Sequence, residues 1–264
     1  MPIELLSFDL DDTLWPVFPT LKAAELETYE WLKRQAPELT EQFSLKAIAN
    51  YRIDLFRSNP DLQHSIGELR KRSIEDLAKQ AGIAERAAQL LSAEAFELHY
   101  QLRQRVEPFP HVKDTLANLA QRYHIVAITN GNADIFATEL GEFFLLSVSA
   151  ESEGIGKPER AIFESARSKA EQLTGEAVPV ESMLHVGDSL LHDVQGARQA
   201  GIRAVWLQHH TLVSAEDRHQ YDLKESDSPY RYPESTGTDE QQLLRADAEI
   251  SDLVELPDVI EQLD

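Results

Sequence analysis

A chain of 264 residues, 42% hydrophobic and 27% charged, is long enough for one large domain or two smaller ones around a real core, and its balance is that of ordinary soluble globular proteins. Its 46 acids against 25 lysines and arginines leave a formal charge of −21. That excludes a nucleic-acid backbone or an anionic membrane as a main partner, since either would be repelled over most of the surface, and the lack of cysteine excludes disulfides and thiolate chemistry.

The charge is uneven: the stretch Ala246 to Asp264 holds seven acids and no base, the pattern of a solvated face. Nothing at the start resembles a secretory leader, because Glu4 and Asp9 interrupt the first apolar run. No apolar stretch approaches the ~20 residues that span a bilayer, so the expectation is a cytoplasmic protein.

Ile3, Leu5, Leu6, Phe8 and Leu10 read as a short buried strand that stops in Asp9-Leu10-Asp11-Asp12-Thr13. Asp9 and Asp11, two apart, would face one pocket if strand geometry continues through them, and a divalent cation would relieve their repulsion. Taken alone, the same residues also fit a strand end with a solvated acidic turn. Trp15-Pro16-Val17-Phe18-Pro19 then leads into helical periodicity. Leu21, Ala24, Thr28, Trp31 and Leu32 share one face, with Pro37 at the exit; Leu45, Ile48, Ala49, Arg52, Leu55 and Phe56 form a second stripe. Ile66, Leu69, Ile74, Leu77 and Ala81 form a third, ended by Gly82, and Ala87, Leu90, Leu91, Ala95 and Leu98 a fourth. Four amphipathic helices in sequence predict a small bundle.

After Glu107-Pro108-Phe109-Pro110 the pattern alternates. A helix is expected from His111 to Arg122, a strand over Ile125–Ile128 ending in Thr129-Asn130-Gly131-Asn132, and a helix from Asp134 to Leu140. A weaker strand is expected over Leu145–Ser149, then the flexible Glu153-Gly154-Ile155-Gly156 and a helix opened by Lys157-Pro158. The strand Met183–Val186 runs into Gly187-Asp188-Ser189, followed by a helix from Asp193 to Ala200 and a strand over Ala204–Leu207. Alternating strand and helix imply a parallel sheet with helices on both faces. From Gln208 to Arg245 the pattern fails, and this polar stretch reads as a mobile loop or disorder, in which Tyr221, Tyr230 and Tyr232 leave room for a partner-binding or dimer-contact arm. A strand and helix close the chain.

Four polar strand ends, at Asp9/Asp11/Thr13, Thr129/Asn130, the Lys157 loop and Asp188/Asp193, would converge at one edge of such a sheet. Each alone has a plain structural explanation as a turn, a surface lysine or a helix cap. Together and in this order they resemble the four ordered motifs of the haloacid dehalogenase superfamily: Asp9-Leu10-Asp11-Asp12-Thr13, Thr129, Lys157 and Gly187-Asp188-Ser189-Leu190-Leu191-His192-Asp193. The resemblance spans essentially the whole chain apart from Gln208–Arg245, and the insertion between the first two motifs is similar to the superfamily's α-helical cap. It implies a Rossmann-like core of residues 1–15 and 108–264, with an irregular segment at 208–245, and a four-helix cap domain of residues 16–107.

The resemblance further implies a magnesium-dependent phosphatase acting on a small phosphomonoester such as a sugar phosphate, a nucleotide or flavin mononucleotide. In it Asp9 is the nucleophile and Asp11 the general acid and base, with Thr13 in support. Asp9, the Asp11 carbonyl and Asp188 hold Mg²⁺, Thr129 and the Asn130 N–H hold phosphate oxygens, Lys157 offsets developing charge, and Asp193 orients Lys157 or the metal's surroundings. The dehalogenase branch lacks an acid at the position of Asp11, which argues for phosphoryl transfer. A phosphomutase, or a binding or regulatory protein on the same fold, is the alternative. His185 and His192 read as packing or hydrogen-bonding residues, the pair His209-His210 has no second cluster to form a metal site with, and Trp15 and Phe18 either line a substrate pocket or anchor the hairpin.

Overall fold

A computed structural model describes residues 1–208 and 245–264. The partner-arm reading of Tyr221, Tyr230 and Tyr232, the pair His209-His210 and nearly all of the irregular segment lie outside those residues. The chain divides into two compact units: Met1–Pro16 with residues 106–208 and 245–264, and Val17–Arg105.

Strand β1 (Leu5–Phe8) is buried along its whole length and leads into the acidic turn. The second unit then holds α1 (Val17–Gln35), α2 (Pro37–Gln42), α3 (Leu45–Ser58), α4 (Ile66–Gln80) and α5 (Glu85–Arg103). Pro37, expected only to end the first helix, also opens the short α2, where its missing N–H costs nothing. Ser44 caps α3 by accepting from the Ala47 N–H at 3.2 Å, and Gly82, at φ +90°, ends α4 in the left-handed region that glycine tolerates. Leu32, Leu39, Ile48, Ile74, Leu77 and Leu91 form the apolar centre of this unit.

Beside that centre the Glu25 carboxylate is buried and accepts from Arg52 Nη1 at 2.6 Å and from Arg70. His99 lies 3.9 Å from it, and its ring nitrogens have no hydrogen-bond partner among the described residues. This polar group explains one departure from the expected pattern. The buried face of α5 runs Ala88, Leu91, Ser92, Ala95, His99, Leu102, Arg103, while Ala87 and Leu90 are exposed. Polar residues on the inner face had hidden its phase.

The first unit continues with α6 (Val112–Leu119), β2 (His124–Thr129), β3 (Leu146–Ser149), α7 (Ala150–Glu153), α8 (Arg160–Thr174), β4 (Met183–Gly187), α9 (Gly196–Gln199), β5 (Arg203–Leu207), β6 (Ala248–Ile250) and α10 (Leu256–Leu263). All six strands run parallel in the order β3-β2-β1-β4-β5-β6. Side chains alternate across the sheet: Leu6 and Phe8 pack with Leu116 and Ile260 on one face, and Leu5 packs with Phe163 and Ala197 on the other. The α/β reading with helices on both faces therefore holds.

Two expected helices differ. The segment 134–143 forms two 3₁₀ turns, Ile135–Ala137 and Gly141–Phe143, because the Asp134 carboxylate takes the Phe136 N–H and Thr138 Oγ1 bonds both the Ile135 carbonyl and the Leu140 N–H. Local side-chain bonds of this kind compete with an α-helix. After Ser189 a wide π turn spans Leu190–Gln195 before the single turn of α9, with the Val194 N–H reaching the Ser189 carbonyl at 3.1 Å.

Candidate active site

The sheet order reverses between β1 and β4, since β2 and β3 extend to one side of β1 and β5 and β6 beyond β4 on the other. A crevice outside the carboxyl ends of strands at such a reversal is where open α/β sheets place ligands. Asp9 stands directly after β1 and Asp188 directly after β4, and the Asp9 N–H donates to the Val186 carbonyl at 2.9 Å, locking the two ends together.

Lys157 Nζ lies 2.6 Å from both Asp9 Oδ1 and Asp193 Oδ1, with all three side chains nearly removed from solvent. Burial alone would depress this lysine, but the carboxylates of Asp193 and Asp9 outweigh it and hold it protonated. Asp193 is held below the usual carboxylate range: Lys157 and the His185 hydrogen bond overcome its burial. Asp9 goes the other way, raised to about 7 by burial and by the charges of Asp193 and Asp11, against the pull of Lys157. Burial, then Asp9 and Asp193, also raise Asp188 well above its ordinary value.

The loop carrying Lys157 is fixed through its backbone. Asn130 Oδ1 accepts from the Lys157 N–H at 2.7 Å and Asn130 Nδ2 donates to the Lys157 carbonyl at 2.8 Å. A Cβ on Gly156 would stand 2.7 Å from Asn130 Oδ1, so glycine permits this approach. Thr129 ends β2 buried, and its hydroxyl takes the Gly131 N–H at 2.9 Å. Thr13 Oγ1 lies 3.1 Å from Asp188 Oδ1 and 3.4 Å from Asp9 Oδ2. Asp12 turns the chain at φ +58°, a left-handed conformation that Asp accommodates, and its N–H donates to the Trp15 carbonyl at 2.8 Å.

Asp11 is held separately. Trp15 Nε1 donates to Asp11 Oδ1 at 2.8 Å from an indole that is itself fully buried in the core. Of the two roles considered for Trp15, the structure assigns the anchor: it has no surface for lining a pocket.

The structure thus brings Asp9, Thr13, Lys157, Asp188 and Asp193 into one hydrogen-bonded group, ties Asn130 to it through Lys157, and keeps the Asp11 carboxylate on Trp15. Asp9, Asp188 and Asp193 each offer an oxygen within 4.8 Å of the others. Asp193 is the most heavily engaged of the three, with Lys157 and His185 on its Oδ1 and the Ser189 N–H on its Oδ2 at 2.9 Å. The remaining pair, two crowded carboxylates of raised pKa with hard oxygen donors, fits a divalent cation. The sequence suggests no role for the Asn130 side chain; it marks His185 as a packing or hydrogen-bonding residue, and the structure shows it hydrogen-bonded to Ser7 and Asp193. The polar Ser7 and His185 inside otherwise apolar strands were the available signal.

Residues 3–201 match the family described as haloacid dehalogenase-like hydrolase. The chain belongs to the haloacid dehalogenase-like hydrolases. This hydrolase is 33% identical over 205 residues to the 5-amino-6-(5-phospho-D-ribitylamino)uracil phosphatase YigB of Escherichia coli, covering 78% of this chain and 83% of that protein. It is 33% identical to the phosphoserine phosphatase of Thermus thermophilus over 78% of this chain and 88% of that one. A solved structure of a 2-haloacid dehalogenase from Pseudomonas syringae superposes with a TM-score of 0.79 at 34% identity, covering 99% of this chain and 100% of the other. Relatives of this hydrolase are thus named for two chemistries. No helix among its described residues is long and apolar enough to cross a membrane.

Proposed function

We propose that the chain is a magnesium-dependent phosphatase that hydrolyses a small phosphomonoester through an aspartyl-phosphate on Asp9, with residues 16–107 as its helical cap domain. The observation that carries this reading is the second carboxylate, Asp11, fixed by Trp15 Nε1 at 2.8 Å two residues beyond Asp9. Displacing halide from carbon releases a stable anion that needs no proton, so a dehalogenase has no use for an acid there. Displacing an alkoxide from phosphorus does need one, and general acid help of this kind contributes roughly 10²–10⁴ in rate.

Asp9 attacks phosphorus while Asp11 protonates the leaving oxygen; Asp11, now a carboxylate, then takes a proton from the water that opens the acyl phosphate. Lys157, held between Asp9 and Asp193, keeps the Asp9 carboxylate oriented and offsets charge on the transferring group. Thr129 and the Asn130 backbone N–H hold phosphate oxygens, and Thr13 steadies Asp9 and Asp188. Carboxylate oxygens of Asp9 and Asp188 and the Asp11 carbonyl would hold Mg²⁺. When bound, that ion lets an anionic nucleophile approach an anionic phosphate. Relatives are named as phosphatases of phosphoserine, glyceraldehyde 3-phosphate and 5-amino-6-(5-phospho-D-ribitylamino)uracil, all small monophosphate esters, which supports that substrate class.

The test is turnover of p-nitrophenyl phosphate with Mg²⁺ beside halide release from 2-chloropropionate. The wild-type protein is expected to turn over the first and not the second, and Asp9→Asn to lose turnover with an unchanged circular dichroism spectrum. Halide release without phosphatase activity would overturn the proposal.

A further inference from the structure

Behind the site, Ser7 and His185 extend its row of hydrogen bonds, and neither the motifs nor the proposed steps assign these two residues a role. Ser7 on β1 and His185 on β4 are register partners in adjacent parallel strands, and both are fully buried. Alternation places Asp9 and Gly187, two residues further along each strand, on the same face of the sheet. Ser7 Oγ is 2.8 Å from His185 Nδ1, and His185 Nε2 is 3.1 Å from Asp193 Oδ1, the same oxygen that receives Lys157. The Phe163 ring closes the other side of the imidazole, edge to face, with centroids 5.1 Å apart.

We infer that Ser7 and His185 are positioning residues for Lys157: they fix a neutral imidazole whose Nε2–H holds Asp193, so that Asp193 sets the lysine against Asp9. The proton positions follow from counting donors. Asp193 is a carboxylate and can only accept, so the Nε2 facing it carries the hydrogen. Burial lowers the His185 pKa, and the ring stays neutral with one hydrogen. Nδ1 therefore accepts, and among the described residues the hydrogen that reaches it belongs to the Ser7 hydroxyl. That places the serine proton on the imidazole at 2.8 Å rather than on the alternative acceptor, the Leu184 carbonyl at 3.3 Å. The row leaves β1 at Ser7, passes through His185, Asp193 and Lys157, and ends at Asp9, just beyond β1.

Gly187 is required by the same arrangement. A Cβ there would overlap the Asp193 carboxylate, so glycine lets Asp193 lie flat against β4, within reach of His185 two residues back. A packing histidine would need neither a serine aimed at Nδ1 nor a carboxylate at Nε2.

The inference rests on the proposed role of Lys157, and its test separates the two. ¹⁵N spectra of the wild-type imidazole need no activity, and are expected to show His185 neutral, protonated at Nε2 and bare at Nδ1. An Nδ1–H tautomer or an imidazolium would overturn it. In turnover of p-nitrophenyl phosphate, normalised to the folded fraction, His185→Leu is expected to lose about 10- to 100-fold in kcat, the usual cost of removing a partner behind a site residue. His185→Gln, which can present an amide N–H where Nε2–H stood, is expected to restore most of that loss. Equal rates for the two variants would overturn the inference. Wild-type protein inactive on every phosphate ester would count against the phosphatase reading alone, leaving the tautomer to decide this one.

Discussion

Replacing Trp15 with Phe tests the contact proposed to orient Asp11 as the proton carrier. The substitution keeps an aromatic ring in the core but deletes the N–H that donates to Asp11 Oδ1 at 2.8 Å. A hydrogen bond to a charged acceptor contributes about 1.5–3 kcal/mol, and each ~1.4 kcal/mol is tenfold in rate, so full loss of orientation would cost roughly 10- to 100-fold. The packing penalty is smaller than the ~3–5 kcal/mol of truncating a buried Trp to Ala, and the folded fraction follows from urea denaturation. The informative quantity is kcat/KM for two esters. An alkyl phosphate, whose leaving alkoxide must be protonated, should lose at least tenfold. p-Nitrophenyl phosphate, whose leaving group departs as a stable anion, should lose far less. Equal losses on the two esters, with the fold intact, would refute the assignment of Asp11 as the acid oriented by Trp15.

Gly187→Ala should push Asp193 off β4, lower the denaturation midpoint because buried Lys157 and His185 lose their partner, and lower kcat of the folded fraction by about 10- to 100-fold; unchanged kcat and midpoint would refute the need for glycine there. Glu25→Gln should destabilise the helical unit by about 3–5 kcal/mol, read as a shift in the urea midpoint, because it leaves the Arg52 and Arg70 guanidinium groups beside a neutral amide. The same group makes the fold acid-sensitive. His99 is depressed from 6.5 to about 2 by burial and by Arg70, and Arg52 and Arg70 hold Glu25 below its ordinary 4.5 against the effect of burial. The unfolded chain takes up these protons first, so stability present above pH ~6.5 should fall as the pH drops through 6.5 and again below ~4.5. A flat stability profile from pH 7 to 4 would contradict this. Chelation with EDTA should abolish turnover and Mg²⁺ restore it. Because Asp9 is raised to about 7, the Mg²⁺ needed for half-activity should increase as the pH falls from 8 to 6, by about tenfold per unit below 7 for one competing proton. Independence of pH would refute the ligand assignment.

The strand ends at Asp9, Thr129 and Asp188 were readable because each apolar run stops abruptly in polar residues, which is a local property of the sequence. Lys157 was readable from its order among the motifs. What was not readable depends on register or on competition. Ser7 meets His185 only because β1 and β4 pair Leu5 with Met183, a long-range fact that no local pattern encodes. Asn130 clasps Lys157 across 27 residues for the same reason. The stripe expected on α5 meets the buried face at Leu91 and Ala95, but Ala88, Ser92 and His99 are buried in place of Ala87, Leu90 and Leu98, because polar residues share the inner face. The 3₁₀ turns after Asp134 and the π turn after Ser189 arise where side-chain oxygens of Asp134, Thr138 and Ser189 compete for backbone N–H groups.

The Phe109 N–H donates to the Leu14 carbonyl at 2.9 Å, so the first unit clips together the points where its chain departs and returns. With the ends fastened, the closure entropy of the excursion grows only logarithmically, about 0.6 kcal/mol for each doubling of its length. To the sheet, the stretch from Val17 to Arg105 is therefore an exchangeable cassette. It can be lengthened, shortened or replaced wholesale without retuning any strand of the sheet.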